Sequence, residues 1–162
     1  MTTITPCLWF DGNGLEAAEL YVSIIPDSHI TNVSYYGPDQ PGKEGSPLTV
    51  AFELAGRPYT ALNGGPAFKF TEAISLQVSA ADQDEVDRYT GQLTAGGGET
   101  GPCGWVKDRF GLSWQVVPNV LLELVGDPNP LRANAAMQAM LGMTKIDIRG
   151  LQAAADAAVP SA

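Results

Sequence analysis

The chain has 162 residues, 44% hydrophobic and 17% charged, a composition typical of a folded globular protein. Its net charge of −9, from 9 basic and 18 acidic residues, argues against nucleic acid and anionic membrane surfaces as partners. No apolar run approaches the roughly 20 residues of a membrane-spanning helix, and the start lacks the charged residues of a signal peptide. We therefore expect a soluble, cytoplasmic protein.

Cysteine and histidine are scarce, which limits the chemistry of the chain. The two cysteines, Cys7 and Cys103, are too few for a disulfide framework and are expected to be ordinary reduced thiols. His29 is the one histidine, so a single chain cannot build a metal site from several imidazoles. It falls in a predicted loop, where a surface position is expected.

The first half of the chain combines strand and helix signals. Loose alternation predicts a strand at residues 4–10, and apolar residues spaced by three and four predict an amphipathic helix at 15–25. Three further strands are predicted at residues 30–36, 48–54 and 57–62. The order is therefore strand, helix, strand, strand, strand.

A similar order begins again near residue 73. The predicted elements are a strand, an amphipathic helix and two further strands, at residues 73–78, 82–93, 104–107 and 112–117. Tyr21 and Tyr89 occupy matching places in the two predicted helices, which favours an internal duplication. Two unrelated α+β halves are the alternative.

The sequence after residue 119 is predicted to be helical, with helices at 121–125, 131–143 and 147–158. The last of these carries Ile148, Leu151 and Ala155 on one stripe. Such a tail packs on its own domain or on a partner subunit. The final three residues are expected to fray.

The local motifs of common enzyme classes are absent from the sequence. It has no nucleophile elbow, no paired CxxC and no HExxH. The glycines at residues 96–98 follow a predicted helix instead of opening one, and the run at 63–66 meets no helix, so neither predicts a phosphate loop. Asp11 and Asp108 are expected to cap turns in preference to acting as bases.

Several motifs, in order along the chain, carry a resemblance to a known family. They are TPCLWFDGN at residues 5–13, ALNGGP at 61–66, FKF at 68–70, CGW at 103–105, SWQVVP at 113–118 and MQAM at 137–140. With this set the sequence resembles PhnB-like proteins of the glyoxalase/bleomycin-resistance/dioxygenase (vicinal oxygen chelate) superfamily. It is most similar to the branch labelled 3-demethylubiquinone-9 3-methyltransferase.

The resemblance implies an α+β fold of two βαβββ modules, each forming a half-barrel around a cavity, with C-terminal helices. The first module is expected at residues 1–66, the second at 67–118 and the helical extension at 119–162. A homodimer is also implied, because modules of this kind commonly pair across chains, although pairing within one chain is the alternative. The apolar C-terminal helices offer further surface for a second copy.

Metal-using members of this superfamily take His and Glu ligands from inward-facing strand positions. Carried over by strand register, those positions are Thr5, Ala61 or Asn63, Ala73 and Gln115. None is a histidine or a carboxylate, the ligands that normally hold a divalent transition metal. We therefore expect no metal, and neither glyoxalase-type nor dioxygenase-type metal chemistry.

The remaining expectation is a cavity lined by aromatic and amide side chains. Strand parity places Thr5, Cys7 and Trp9 on one face of the first strand. The predicted ligand-binding residues are Thr5, Cys7, Trp9, Asn63, Trp105 and Gln115. They combine stacking surface with amide hydrogen bonds, as small-molecule pockets do. Plain core packing is the alternative for each tryptophan.

Three functions stay open at this point. The first is a metal-independent protein that binds a small molecule of unknown identity. The second is an enzyme acting on a quinone-like or aromatic substrate, including the methyltransferase after which the branch is labelled. The third is a drug-sequestering resistance protein, for which an acidic chain would suit a cationic drug. The first is favoured because the sequence shows no recognisable cofactor site, and no cofactor is expected.

Overall fold

A computed structural model describes residues 2–159 and contains two βαβββ modules followed by helices, which confirms the predicted α+β fold class. The chain divides into two compact units, Met1–Phe70 and Thr71–Ala162. The C-terminal helices belong to the second unit, together with the second module. Residues 160–162, which were expected to fray, lie outside the described residues.

The first unit contains a four-stranded mixed sheet. Its elements are β1 Cys7–Phe10, α1 Gly14–Ile24, β2 His29–Tyr35, β3 Pro47–Leu54 and β4 Arg57–Asn63. The strand order is β1-β4-β3-β2, with β1 parallel to β4 and the other pairs antiparallel. The strand predicted from residue 4 begins at Cys7, because Pro6 has no N–H and joins the ladder only through its carbonyl, which accepts from Thr60 at 3.0 Å.

The core of the first unit follows from alternation along β3. Val50, Phe52 and Leu54 are buried, and the residues between them are half-buried. The buried side of α1 includes Tyr21, whose ring centroid lies 6.3 Å from that of Phe52. The predicted helix and the predicted half-buried strand therefore pack against each other through their apolar faces.

The second unit repeats this topology. Its elements are β5 Ser75–Ala80, α2 Gln83–Thr94, β6 Glu99–Thr100, β7 Trp105–Lys107 and β8 Ser113–Pro118, with a 3-10 turn at Pro102–Gly104. The strand order is β5-β8-β7-β6, and β5 is parallel to β8 as β1 is to β4. The sequence analysis missed β6, because a strand of two exposed residues between glycines has no alternation to detect.

Asp108 organises the turn between β7 and β8. Its Oδ1 accepts hydrogen bonds from the backbone N–H groups of Phe110 and Leu112, at 2.9 and 3.1 Å. Its Oδ2 accepts from the Trp114 indole N–H at 2.9 Å, and Asp108 is only 2% exposed. The expectation that Asp108 caps a turn is confirmed, and Trp114 is a core residue.

The C-terminal helices α3 Asn119–Val125, α4 Pro130–Leu141 and α5 Ile148–Ala157 enclose a small core of their own. Its buried members are Leu121, Leu124, Ala136, Ile146, Leu151 and Ala155. Leu151 and Ala155 of the predicted stripe on the last helix are therefore confirmed as core residues of this unit, whereas Ile148 is half-buried and is not part of this core. Among residues 2–159, the helices are too short or too polar for any of them to cross a membrane.

We expect Asp108→Ala to lower the free energy of unfolding by about 2–4 kcal/mol. The substitution leaves the buried Trp114 N–H and two backbone N–H groups without their acceptor. Urea denaturation measures the change, with Glu123→Ala on the exposed side of α3 as the matched loss of a carboxylate. Equal effects of the two substitutions would contradict the assigned role of Asp108.

Candidate functional site

The sheet of the second unit has one face covered by α2 and an opposite face whose Val117, near the end of β8, packs against the C-terminal helices. Trp114 and Val116 of β8 are buried, and α2 packs over that side with Val86, Tyr89 and Leu93. The alternate residues of β8 point the other way. We call that side the open face; its members on three paired strands are Ser75, Gln77, Trp105, Lys107, Ser113 and Gln115.

Polar side chains on the open face bind one another across β5 and β8. Gln115 donates from Nε2 to the Ser75 Oγ at 2.8 Å. Gln77 donates from Nε2 to the Gln115 Oε1 at 3.3 Å. Trp105 stands opposite Gln115 on the other neighbouring strand. An indole ring and a row of amides therefore lie on neighbouring strands of one face.

A cavity of about 330 Å³ opens in the second unit beside β7. Its lining includes Glu72, Glu99, Thr100, Trp105, Lys107 and Ser113. Gln115 is not part of the lining, but it follows Ser113 by two residues on the same face. The volume lies within the range of roughly 300–1,000 Å³ that is usual for small-molecule sites.

A salt bridge lies in the wall of this cavity. The Lys107 Nζ is 2.6 Å from Oε1 of Glu72, which precedes β5. The hydrogen bond from Lys107 lowers the pKa of the Glu72 carboxyl, and the same bond raises the pKa of Lys107. Both side chains are more than a third exposed, so solvent screens the pair and its contribution to stability is small. Its effect is to fix where the ammonium group lies.

The three tryptophans differ in what their indole N–H groups bind. Trp114 donates to Asp108, and Trp9 donates to the Gly65 carbonyl at 2.8 Å. Within residues 2–159 the Trp105 N–H has no acceptor, and Trp105 is half-buried in the cavity wall. Trp105 is thus the tryptophan whose ring and N–H are both available to a ligand.

Trp9 is held within the first unit by several contacts. A Cβ on Gly64 would lie 2.3 Å from the Trp9 ring, so the ring packs directly on a backbone that only glycine can provide. The ring also makes an edge contact with Phe68, with centroids 5.0 Å apart. Much of the stacking surface predicted for Trp9 is therefore used inside the chain.

Asn63 lines a separate cavity of about 220 Å³ in the first unit, but its amide is already engaged. Oδ1 accepts from the Gly14 N–H at the start of α1 at 2.8 Å, and Nδ2 donates to the Pro47 carbonyl at 2.9 Å. Its own carbonyl accepts from the Tyr36 hydroxyl at 2.6 Å. Asn63 therefore joins the end of β4 to the starts of α1 and β3. The sequence analysis did not predict this structural role.

The other candidates lie at the margins of the two sheets. Thr5 and Ala73 are exposed and precede β1 and β5. Cys7 is an exposed free thiol at the first position of β1 and pairs with Thr60. Cys103, also a free thiol, lies in the 3-10 turn with φ 57°. Thr5 and Cys7 lie in a different unit from Gln115 and Trp105.

The side chains at the positions of metal ligands in the superfamily do not fit a divalent transition metal. Ala61 is buried with no donor atom, Asn63 is engaged, and Gln115 is bonded to Ser75. Nowhere in residues 2–159 do three His, Cys, Asp or Glu side chains converge as ion ligands. Two or three anionic or imidazole ligands are the usual requirement for such an ion.

Charged residues of the cavity were missed by sequence reasoning. Glu72, Glu99 and Lys107 lie on a loop, on β6 and on β7, and no motif joins them. The register brings Glu99 opposite Lys107, and Lys107 opposite Ser113. A correct assignment of β6 could have placed Glu99 opposite Lys107. No local pattern could have placed Glu72 in the cavity wall.

Comparison with known proteins places the chain in a family. Residues 2–117 match the sequence profile of the family described as 3-demethylubiquinone-9 3-methyltransferase. The structure resembles that of the PhnB protein from Bacillus cereus with a TM-score of 0.65 and 30% identity, over 72% of this chain and 99% of that one. No curated protein matches the sequence.

More distant structures show the fold alone. Protein PA1353 from Pseudomonas aeruginosa is 21% identical, with a TM-score of 0.60 over 73% of this chain and 98% of that one. The fosfomycin resistance protein FosX from Listeria monocytogenes, solved with Mn(II) and sulfate, is 15% identical, with a TM-score of 0.50 over 72% and 89%. With its two βαβββ modules and its match over residues 2–117, the chain belongs to the 3-demethylubiquinone-9 3-methyltransferase family of PhnB-like proteins, within the vicinal oxygen chelate fold.

Proposed function

We propose that the protein is a metal-independent small-molecule-binding protein whose ligand occupies the cavity of the second unit. The observation that carries this proposal is the state of Trp105, which lines the cavity with an indole N–H that no residue in 2–159 accepts. This N–H is not a buried donor, so it is open to solvent, and a ligand oxygen in the cavity can accept a hydrogen bond from it. The ring would stack on a flat apolar part of the same ligand.

The neighbouring amides support this assignment. Gln115 is held by Ser75 and Gln77, so its side chain is positioned before any ligand arrives. A fixed amide costs less conformational entropy on binding than a mobile one. Side chains of this kind orient a polar aromatic compound without a metal ion.

Truncation of Trp105 tests the site. With 2-naphthylmethanol as a neutral aromatic probe, we expect Trp105→Ala to weaken binding roughly fivefold, or about 1 kcal/mol, through loss of the stacking surface. Tyr35→Ala removes an aromatic ring of the first unit that is 57% exposed and should leave the affinity unchanged. Isothermal titration calorimetry measures both; equal affinity of the intact protein and Trp105→Ala for the probe would contradict the assignment of Trp105 to the site.

We also propose a homodimer that holds no stoichiometric transition metal. The lack of histidine and carboxylate side chains at the implied ligand positions supports the absence of a metal. The exposed Leu122, Leu131 and Leu141 on the C-terminal helices offer apolar surface for a second copy. Two unpaired thiols, Cys7 and Cys103, are in keeping with a cytoplasmic protein.

Native mass spectrometry of the freshly purified protein measures subunits, metal and co-purified ligand together. We expect the mass of two chains and no transition metal, with probe binding that survives treatment with a chelator. A monomer would refute the dimer. About one metal ion per chain, lost in Gln115→Ala, would refute metal independence.

Methyltransferase activity is the second candidate, favoured by the description of the family to which the chain belongs. Such an enzyme needs a site for S-adenosylmethionine. Within residues 2–159, the glycine-containing turn that leads from a strand into an α-helix joins β1 to α1, and there the Gly14 N–H is already bonded to Asn63. The glycines at 96–98 follow α2, as predicted.

We therefore expect no binding of S-adenosylmethionine by calorimetry, because the Gly14 N–H is bonded to Asn63 and the negative charge of Glu16 lies in the first turn of α1. Addition of 2-naphthylmethanol as a companion ligand should not change this result. Saturable binding at micromolar concentration, about −8 kcal/mol, would instead favour the methyltransferase.

A further inference from the structure

Three charged side chains line the cavity of the second unit. They are Glu72, Glu99 and Lys107. Glu99 stands opposite Lys107 in the pairing of β6 with β7, and the Lys107 ammonium bonds to Glu72 at 2.6 Å. The lysine is therefore bonded to one carboxylate and has a second carboxylate residue opposite it on the neighbouring strand.

The positive charge of Lys107 is already compensated. Its hydrogen bond and ion pair with Glu72 raise its pKa, and the charge of Glu99 adds to that shift. Glu99 itself makes no salt bridge with any residue in 2–159. One carboxylate charge is thus left over in the cavity wall, and the net charge of −9 of the chain has the same sign.

The surplus carboxylate shares the cavity with the Trp105 ring. A carboxylate and an indole face together attract an organic cation, the first through its charge and the second through the negative face of the ring. An anionic ligand would have to displace Glu72 from Lys107 and would lie beside Glu99. A cationic ligand meets neither obstacle.

We propose that this cavity selects small organic cations, namely compounds that carry an ammonium-type group on a flat apolar body. The inference rests on the proposed function, because it names the chemical class of ligand for the same cavity. Glu99 is the residue that sets the preference, and Trp105 holds the apolar body. The excess negative charge of the chain steers such ligands toward the protein.

Three probes with the same ring system test the preference. They are 2-naphthylmethylamine, 2-naphthylmethanol and 2-naphthoate, which are cationic, neutral and anionic at pH 7. We expect the amine to bind about tenfold more tightly than the alcohol, with the carboxylate weakest. In Glu99→Gln the advantage of the amine should disappear while the affinity for the alcohol is retained.

Glu44→Gln, in an exposed loop of the first unit, changes the net charge equally and should leave the advantage of the amine intact. Equal binding of amine and alcohol, or preference for the carboxylate, would overturn the cation assignment while the cavity stands. An equal loss in Glu44→Gln and Glu99→Gln would also overturn it, since the preference would then come from net charge. Failure of all three probes to bind would overturn the proposed function and the inference with it.

Discussion

The buried carboxylate of Asp108 is the constraint on which the candidate site depends. It closes the turn between β7 and β8 through two backbone N–H groups and binds the Trp114 indole from below the sheet. These bonds fix which residue of β7 faces which residue of β8. A slip of one residue would turn every side chain to the opposite face, so Trp105 and Gln115 share a face only because this register is held.

The two modules share a topology but use it differently. In the first, Trp9 lies on the leading strand and is held by contacts with Gly64, Gly65 and Phe68. In the second, the leading strand β5 carries Ser75 and Gln77, and the indole comes from β7. The equal strand orders are in keeping with the predicted duplication, while the indole that is available to a ligand lies in the second unit.

Much of the fold could be predicted because its signals are local. The alternation of Val50, Phe52 and Leu54 and the stripe of Leu151 and Ala155 are both visible within one element. The state of each tryptophan could not be predicted, because the acceptor for the Trp9 N–H lies 56 residues away along the chain. The same holds for Asn63, whose partner Gly14 is 49 residues distant, and for the position of Glu72 beside Lys107. Sequence patterns identify which face a residue occupies, but the satisfaction of its polar atoms depends on tertiary contacts.

The amide row differs in its chemistry from the ligands that usually hold a divalent transition metal. Gln115 and Gln77 are neutral, so they cannot compensate the charge of a divalent ion, and their hydrogen bonds to each other and to Ser75 satisfy the row internally. The charges of the cavity lie instead at one end of the face, where Glu99, Lys107 and Glu72 are neighbours. In the proposed site, the single net negative charge at this end would orient a ligand, because the amide row is already hydrogen-bonded internally. Such a charge would discriminate among ligands by the position of their own charge relative to their flat body, which hydrophobic burial alone cannot do.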